Sequence, residues 1–411
     1  MRRLLSAVLA AAVLAALVAG TAGARPAPGL RAAAAILVQP DTGDVVFARG
    51  ADAERPIAST TKLMTALLTL ERVRLDKTFT AVTYHPLPAE SVINLAGGER
   101  LSVRDLLRGL LLASANDAAV TLAIRLAGSK AAFVREMNLR ARQLGLRHTH
   151  YANPIGLDAP GNYSTVRDLT TLAARLLRNP FFASTVNLPA ATLTTGGHVR
   201  RVSNRNTLVR SIPWVDGVKT GHTSQAGFVL VGTARRNRVQ MLSAVLGDPT
   251  EPARNADTLG LLRYGFSRYH SVLAMRRGEV LAHPRLSYRD ARVSLVAQRS
   301  IRRVVRRGER TFVRLVGVPA TIDGPLRRGA VVGTALIRQR GRTVARVPVV
   351  TAKPVAGATL GNRVTHFVST TWFQILFAVL LVCSLQLAVL RRRAVLRRRA
   401  RARRRGGTEA A

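Results

Sequence analysis

The chain has 411 residues, 47% of them hydrophobic, and carries 63 basic against 22 acidic side chains, a net charge of +41. That length accommodates two domains plus terminal segments, and the apolar content excludes a disordered chain. The charge alone would suit a nucleic-acid binder, but neither zinc-finger spacing nor an RNP-type run accompanies it, so no nucleic-acid partner is expected.

In chain order, Arg2 and Arg3 precede an apolar run from Leu4 to Ala19, and Ala22-Gly23-Ala24 forms a small-x-small site with Pro26 just beyond. This predicts a signal peptide over residues 1–24, cleaved after Ala24; the apolar run is short for a membrane span. Residues 25–32 read as a linker. A domain of alternating helix and strand patterns follows over residues 33–270. Ala35–Val38 and Val45–Phe47 flank a Pro-Asp-Thr-Gly-Asp turn and predict a hairpin. Thr60–Leu75 reads as a buried helix, because its apolar residues are spread around much of it. Ser102 with Asp105 resembles a capping box that opens a helix to about Leu112. A second helix, from Asp117 to Ala127, should stop at Gly128. Strand-like runs return at Val215–Thr220, Gly227–Thr233 and Val239–Leu246, and Leu259–Tyr269 looks helical.

From Ser271 to Ala356 helical periodicity fades. Short β-rich runs at Val293–Val296, Thr311–Val316, Val331–Ile337 and Val344–Val350 predict a small β-rich domain over residues 271–356. Residues 357–366 read as a linker. Between Arg363 and Arg391 there is no Asp, Glu, Lys or Arg, and ten arginines then crowd into Arg391–Arg405. This predicts one transmembrane helix over residues 367–390 and a basic cytoplasmic tail over 391–411, with the preceding chain outside. The lone cysteine, Cys383, lies in the span and rules out an intramolecular disulfide. Outside the tail, the basic surface would face polyanionic wall or lipid headgroups rather than DNA.

Three short elements carry the chemistry: Ser59-Thr60-Thr61-Lys62, Ser114-Ala115-Asn116 and Lys219-Thr220-Gly221. Ser59 and Lys62 are three apart at the start of a helix and share one face. A serine hydroxyl is a poor nucleophile until a base takes its proton, and a desolvated lysine can be that base. Ser114 and Asn116 fall between two predicted helices, where Ser114 can relay a proton and Asn116 can bond a substrate amide. Lys219 and Thr220 can hold a substrate carboxylate, and Gly221 lets an extended peptide lie close to its strand. Each element also has a bland reading, as a helix cap or a strand end. Against that, only five of the 63 basic residues are lysine, and two of those five stand in these elements. Arginine stays protonated and cannot replace Lys62 as a base.

The order of these elements resembles the low-molecular-weight penicillin-binding proteins, the serine D-Ala-D-Ala carboxypeptidases. Ala58–Ala66, Ser114–Ala119, Asn153-Pro154-Ile155-Gly156-Leu157-Asp158 and Asp216–Thr223 are similar to the family's segments. The resemblance implies an α/β (α+β) DD-peptidase-like fold, a sheet with helices on both faces and a helical subdomain, followed by a β-rich domain. It implies that Ser59 forms an acyl-enzyme, Lys62 is the base, Ser114 and Asn116 assist, and Lys219 binds the terminal carboxylate. The backbone N–H groups of Ser59 and His222 would form the oxyanion hole. Peptidoglycan stem peptides would be the substrates, β-lactams covalent inhibitors, and no cofactor or metal is required. Many relatives carry an amphipathic anchor where this chain has an apolar one. The alternatives are a DD-endopeptidase of the same family, a β-lactamase or a β-lactam sensor. A class A β-lactamase would carry Glu-x-x-Leu-Asn, and Glu136-Met137-Asn138-Leu139-Arg140 departs from it at Arg140. A sensor would need an output domain, and only 21 residues follow Leu390.

Overall fold

The structure is a computed structural model that describes residues 26–405. The signal-peptide reading and the end of the basic tail lie outside the described residues. The chain forms two compact units, one running up to Val272 with Val304–Glu309 added, the other comprising Leu273–Arg303 and Arg310 onward.

The first unit is built on five antiparallel strands: β1 (Ala34–Gln39), β2 (Asp44–Arg49), β3 (Val215–Thr223), β4 (Gly227–Arg236) and β5 (Val239–Asp248), in the order β2-β1-β5-β4-β3. Side chains alternate across a strand, so one sheet serves two cores. Ile36, Val229, Val231, Leu242 and Ala244 face one core; Ala35, Leu37, Leu230, Met241 and Val245 face the other. The first core is completed by α1 (Lys62–Arg72), α2 (Val103–Arg108), α3 (Asn116–Ala127), α4 (Lys130–Gln143) and α5 (Val166–Leu176), which form the helical subdomain. The second is covered by α6 (Glu251–Arg268), through Leu261 and Leu262.

The hairpin β4–β5 turns at Asn237 and Arg238, with φ of 49° and 65°. Positive φ at both central residues matches the right-handed twist of the strands. The expected capping box is half formed: Ser102 Oγ accepts from Asp105 N at 3.2 Å, but Asp105 Oδ2 instead accepts the N–H groups of Thr194 and Thr195, each at 3.0 Å. Helix α6 begins earlier than its apolar run, at Glu251, after Thr250, whose side-chain oxygen accepts from Ala253 N.

The second unit holds an antiparallel sheet of β6 (Val280–Ala282), β7 (Leu295–Ala297), β8 (Thr311–Val316), β9 (Val331–Gln339) and β10 (Arg342–Thr351), in the order β6-β7-β10-β9-β8. Leu295, Ala335, Ile337, Val347 and Val349 form its core. The stretch read as a linker at 357–366 is largely helical, in α7 (Leu360–Ser369), capped by Thr359. After Thr370, helix α8 (Thr371–Arg405) continues past the apolar stretch into the arginines. Its segment Thr371–Arg399 has a mean hydropathy of 2.4 in its most apolar window, and none of that window is buried against protein.

Candidate active site

Ser59 lies in a single 3₁₀ turn, Ala58–Thr61, that feeds directly into α1. Helical geometry therefore starts later than the sequence pattern, because Ala58 has φ +45°. A left-handed alanine costs about 1–2 kcal/mol, so the surroundings must hold it. They do so through Gly156, where a Cβ would come within 2.0 Å of Ala58 O. Asn153 Oδ1 shapes that loop by accepting from Gly156 N at 2.6 Å and Ile155 N at 3.2 Å. The loop then offers Pro154 O to Thr65 Oγ1 at 2.9 Å and Ile155 O to Lys62 Nζ at 2.6 Å. Asp158, at its end, accepts from Thr223 Oγ1 at 2.7 Å and thereby ties the loop to β3. The segment Asn153–Asp158 is thus the brace of the serine turn.

Lys62 is fully buried, and its Nζ donates to Ser59 Oγ at 3.0 Å. Burial lowers its pKa to about 7; the charges of Glu90 and Asp117 pull it upward and that of Arg205 pushes it further down. An amine poised there exchanges its proton readily near neutral pH.

Ser114 follows a π turn, Gly109–Ala113, and has φ +63°. Its Oγ is buried with no hydrogen-bond partner among the described residues. Asn116 opens α3, but neither residue caps it: the N-cap is Ala115, with no side-chain cap. Both side chains are left for other work. Asn116 Nδ2 donates to Glu90 Oε2 at 2.7 Å, and Tyr84 OH donates to the same carboxylate. Asp117 accepts the N–H groups of Ile93 and Leu95 and fixes the loop that carries Glu90.

Lys219, Thr220, Gly221 and His222 lie on β3, an edge strand of the sheet. Lys219 is buried and its Nζ donates to Thr220 O at 3.0 Å. Burial drives its pKa well below the ordinary lysine value, helped by the charges of Lys62, Arg205 and Arg254. Arg254 is itself buried and donates to Glu251 at 2.7 Å. A Cβ on Gly221 would lie 2.8 Å from Ser59 N, so the strand backbone runs against the serine turn. The His222 imidazole is exposed and stacks on Phe228 with ring centroids 4.0 Å apart.

The structure thus joins Ser59, Lys62 and Gly221 by direct approach, and brings Asn116 and Lys219 into electrostatic range of Lys62 through Glu90 and along β3. Glu136 pairs instead with Arg72. The sequence reading did not single out Glu90, Tyr84, Arg205 or Arg254. No spacing rule joins Glu90 to Asn116, 26 residues away.

A sheet with helices on both faces and a serine–lysine pair at the start of a buried helix define an acyl-transfer enzyme of the serine DD-peptidase class. The D-alanyl-D-alanine carboxypeptidase family profile matches residues 21–250. The DacD carboxypeptidase of Escherichia coli K12 is 31% identical over 359 residues, covering 83% of this chain and 91% of that one. DacF of Bacillus subtilis is 29% identical, covering 77% of this chain and 84% of the relative. Among solved structures, penicillin-binding protein 5 of Haemophilus influenzae superposes with a TM-score of 0.59 at 29% identity, over 81% of this chain and all of that one. The Streptomyces K15 DD-transpeptidase gives 0.56 at 32% identity, over 59% of this chain and 100% of that one. The chain belongs to the D-alanyl-D-alanine carboxypeptidase family and is a serine-type peptidase.

Proposed function

We propose that Ser59 is the nucleophile that releases the terminal D-Ala from peptidoglycan stem pentapeptides, with Lys62 as its base. The observation that carries this reading is the 3.0 Å hydrogen bond between Lys62 Nζ and Ser59 Oγ, made by a buried lysine with a pKa near 7. Neutral Lys62 takes the Ser59 proton as Oγ attacks the carbonyl carbon of the penultimate D-Ala. The negative charge that develops on the carbonyl oxygen is met by the N–H groups of Ser59 and His222, fixed before the charge appears. Gly221, packed on Ser59 N, keeps β3 close enough for both donors to converge. Protonated Lys62, with Ser114 as relay, returns the proton to the leaving amine of D-Ala. Water then cleaves the acyl-enzyme.

The substrate lies as an added strand along β3, and Asn116 bonds its backbone amide. Lys219 and Thr220 receive the terminal carboxylate. Burial beside Lys62, Arg205 and Arg254 disfavours a charged Lys219 in the free enzyme, and an arriving carboxylate removes that penalty. A β-lactam presents the same carboxylate and a strained amide, and acylates the same serine.

Helix α8 is read as a single membrane span that places the catalytic unit outside the cell and the arginine tail in the cytoplasm, since the arginine cluster directly follows the apolar segment. The site assignment is tested by labelling the full chain with a fluorescent penicillin and mapping the adduct by peptide mass. The adduct is expected on Ser59, and Ser59→Ala should lose both label and D-Ala release. An adduct on any other residue overturns the assignment.

A further inference from the structure

The carboxylate of Glu136 is engaged with Arg72, yet another carboxylate stands at the site. Glu90 Oε2 accepts from Asn116 Nδ2 at 2.7 Å and from Tyr84 OH, and Oε1 accepts from Leu87 N at 3.3 Å. Its loop is locked to α3 twice over. Asp117 accepts the N–H groups of Ile93 and Leu95 at 3.1 and 3.0 Å, and Asn116 N donates to Ser91 O at 2.7 Å. The loop and the start of α3 therefore move as one piece, with the Glu90 carboxylate at their junction.

We propose that Glu90 is a positioning residue for acyl transfer: backed by Tyr84, it fixes the Asn116 amide and sets a negative charge opposite Lys62. This rests on the Ser59–Lys62 assignment above. An amide can present either its oxygen or its nitrogen to a neighbour, and an ionised carboxylate accepts only from the nitrogen. With Nδ2 committed to Glu90, Asn116 cannot flip, and Oδ1 has one defined direction. Burial pushes the pKa of Glu90 upward, but the bonds from Tyr84, Asn116 and Leu87 and the charge of Lys62 outweigh it and hold it below the usual glutamate value. Glu90 is therefore charged wherever the enzyme works near neutral pH.

That charge bears on the base. The groups facing Lys62 are Glu90 from the loop, Asp117 from α3, Arg205 from the segment after α5, and Lys219 from β3. Two acids are set against the Arg205 cation, beside a Lys219 whose burial disfavours its charge. Removal of Glu90 leaves Asp117 alone against Arg205, and Lys62 then gives up its proton at lower pH.

The test uses the full chain in detergent and measures acylation by a fluorescent penicillin between about pH 5 and 9, alongside thermal unfolding. Glu90→Gln keeps an acceptor for Asn116 and loses the charge, so the acid limb of the acylation profile should move to lower pH by about half a unit or more. Glu90→Asp should keep the limb near its wild-type position. Glu90→Ala frees the Asn116 amide and should slow acylation about 10- to 100-fold at the pH optimum. A Glu90→Gln limb that coincides with wild type overturns the charge role. A Glu90→Ala loss that vanishes once rates are corrected for the folded fraction overturns the orienting role. Label retained by Ser59→Ala would instead condemn the Ser59–Lys62 assignment and leave the Glu90 contacts to be judged by the other two readouts.

Discussion

Gly221 lies against the backbone of Ser59: a Cβ at position 221 would come within 2.8 Å of Ser59 N and within 2.9 Å of Ala58 Cβ. Neither neighbour can give way, because Ala58 is held left-handed by the Gly156 loop. Gly221→Ala should therefore push β3 off the serine turn and displace an oxyanion donor. Acylation is expected to fall by about 10²- to 10³-fold, the scale of a lost oxyanion donor. Stopped-flow measurement of penicillin acylation checks this, with circular dichroism to show that the sheet persists.

Lys62, the proposed base, can take a proton only when neutral. With its pKa near 7, wild-type acylation should decline as pH falls below about that value. Lys62→Arg keeps a cation that does not deprotonate, so acylation should be nearly abolished at every pH. The same depression has a stability consequence. The unfolded lysine holds its proton up to its ordinary range, so unfolding takes up a proton between about pH 7 and 10 and stability rises with pH across that window. Lys62→Met should flatten that rise in a pH series of thermal melts.

Lys219→Ala should remove preference for a free carboxylate. A charge-assisted bond of about 1.5–3 kcal/mol corresponds to roughly one to two powers of ten in kcat/KM. Comparing a D-Ala–D-Ala peptide with its C-terminal amide reads this out. The wild type should favour the acid, and the variant should treat the two alike.

Asp248 supplies a test of the scaffold. It is fully buried, and burial, then the charge of Asp257 and a hydrogen bond shared with it, raise its pKa to about 7. A raised acid binds its proton more tightly folded than unfolded. Its stabilisation is complete below the unfolded pKa near 4 and is lost as pH rises through about 7. Asp248→Asn should therefore leave stability near pH 4 little changed and raise it at pH 8 by about 1–3 kcal/mol. Chemical denaturation at the two pH values checks the sign.

The sequence exposed what is local. Ser59 and Lys62 are three residues apart on one helical face, and β4–β5 is a hairpin of adjacent runs, so short-range patterns reveal both. The pairing of β1 with β5, which sets Val38 beside Leu242, has no local signal. Neither has the meeting of Glu90 with Asn116 or the approach of Arg254 to Lys219, since each joins separate elements. Helix α7 escaped because its exposed surface buries nothing and its residues resemble a linker.

The mounting of the enzyme yields the last prediction. A chain ending at Ala358 removes α7 and α8 and leaves every residue of the proposed site. None of the residues of α7 is buried, so little packing is lost with it. The apolar part of α8, from Thr371 to Leu390, is 20 residues long, about 30 Å at 1.5 Å per residue, which matches a bilayer core. The arginines behind it should keep the tail in the cytoplasm. The shortened protein is expected to be soluble and to release D-Ala at close to the full-length rate on a soluble peptide. The full chain should stay in the membrane pellet through a high-salt wash. Protease added to wall-stripped cells should digest the catalytic unit and spare a tag after Ala411. Loss of that tag from outside, or release of the full chain by salt, would overturn the single-span reading without touching the chemistry.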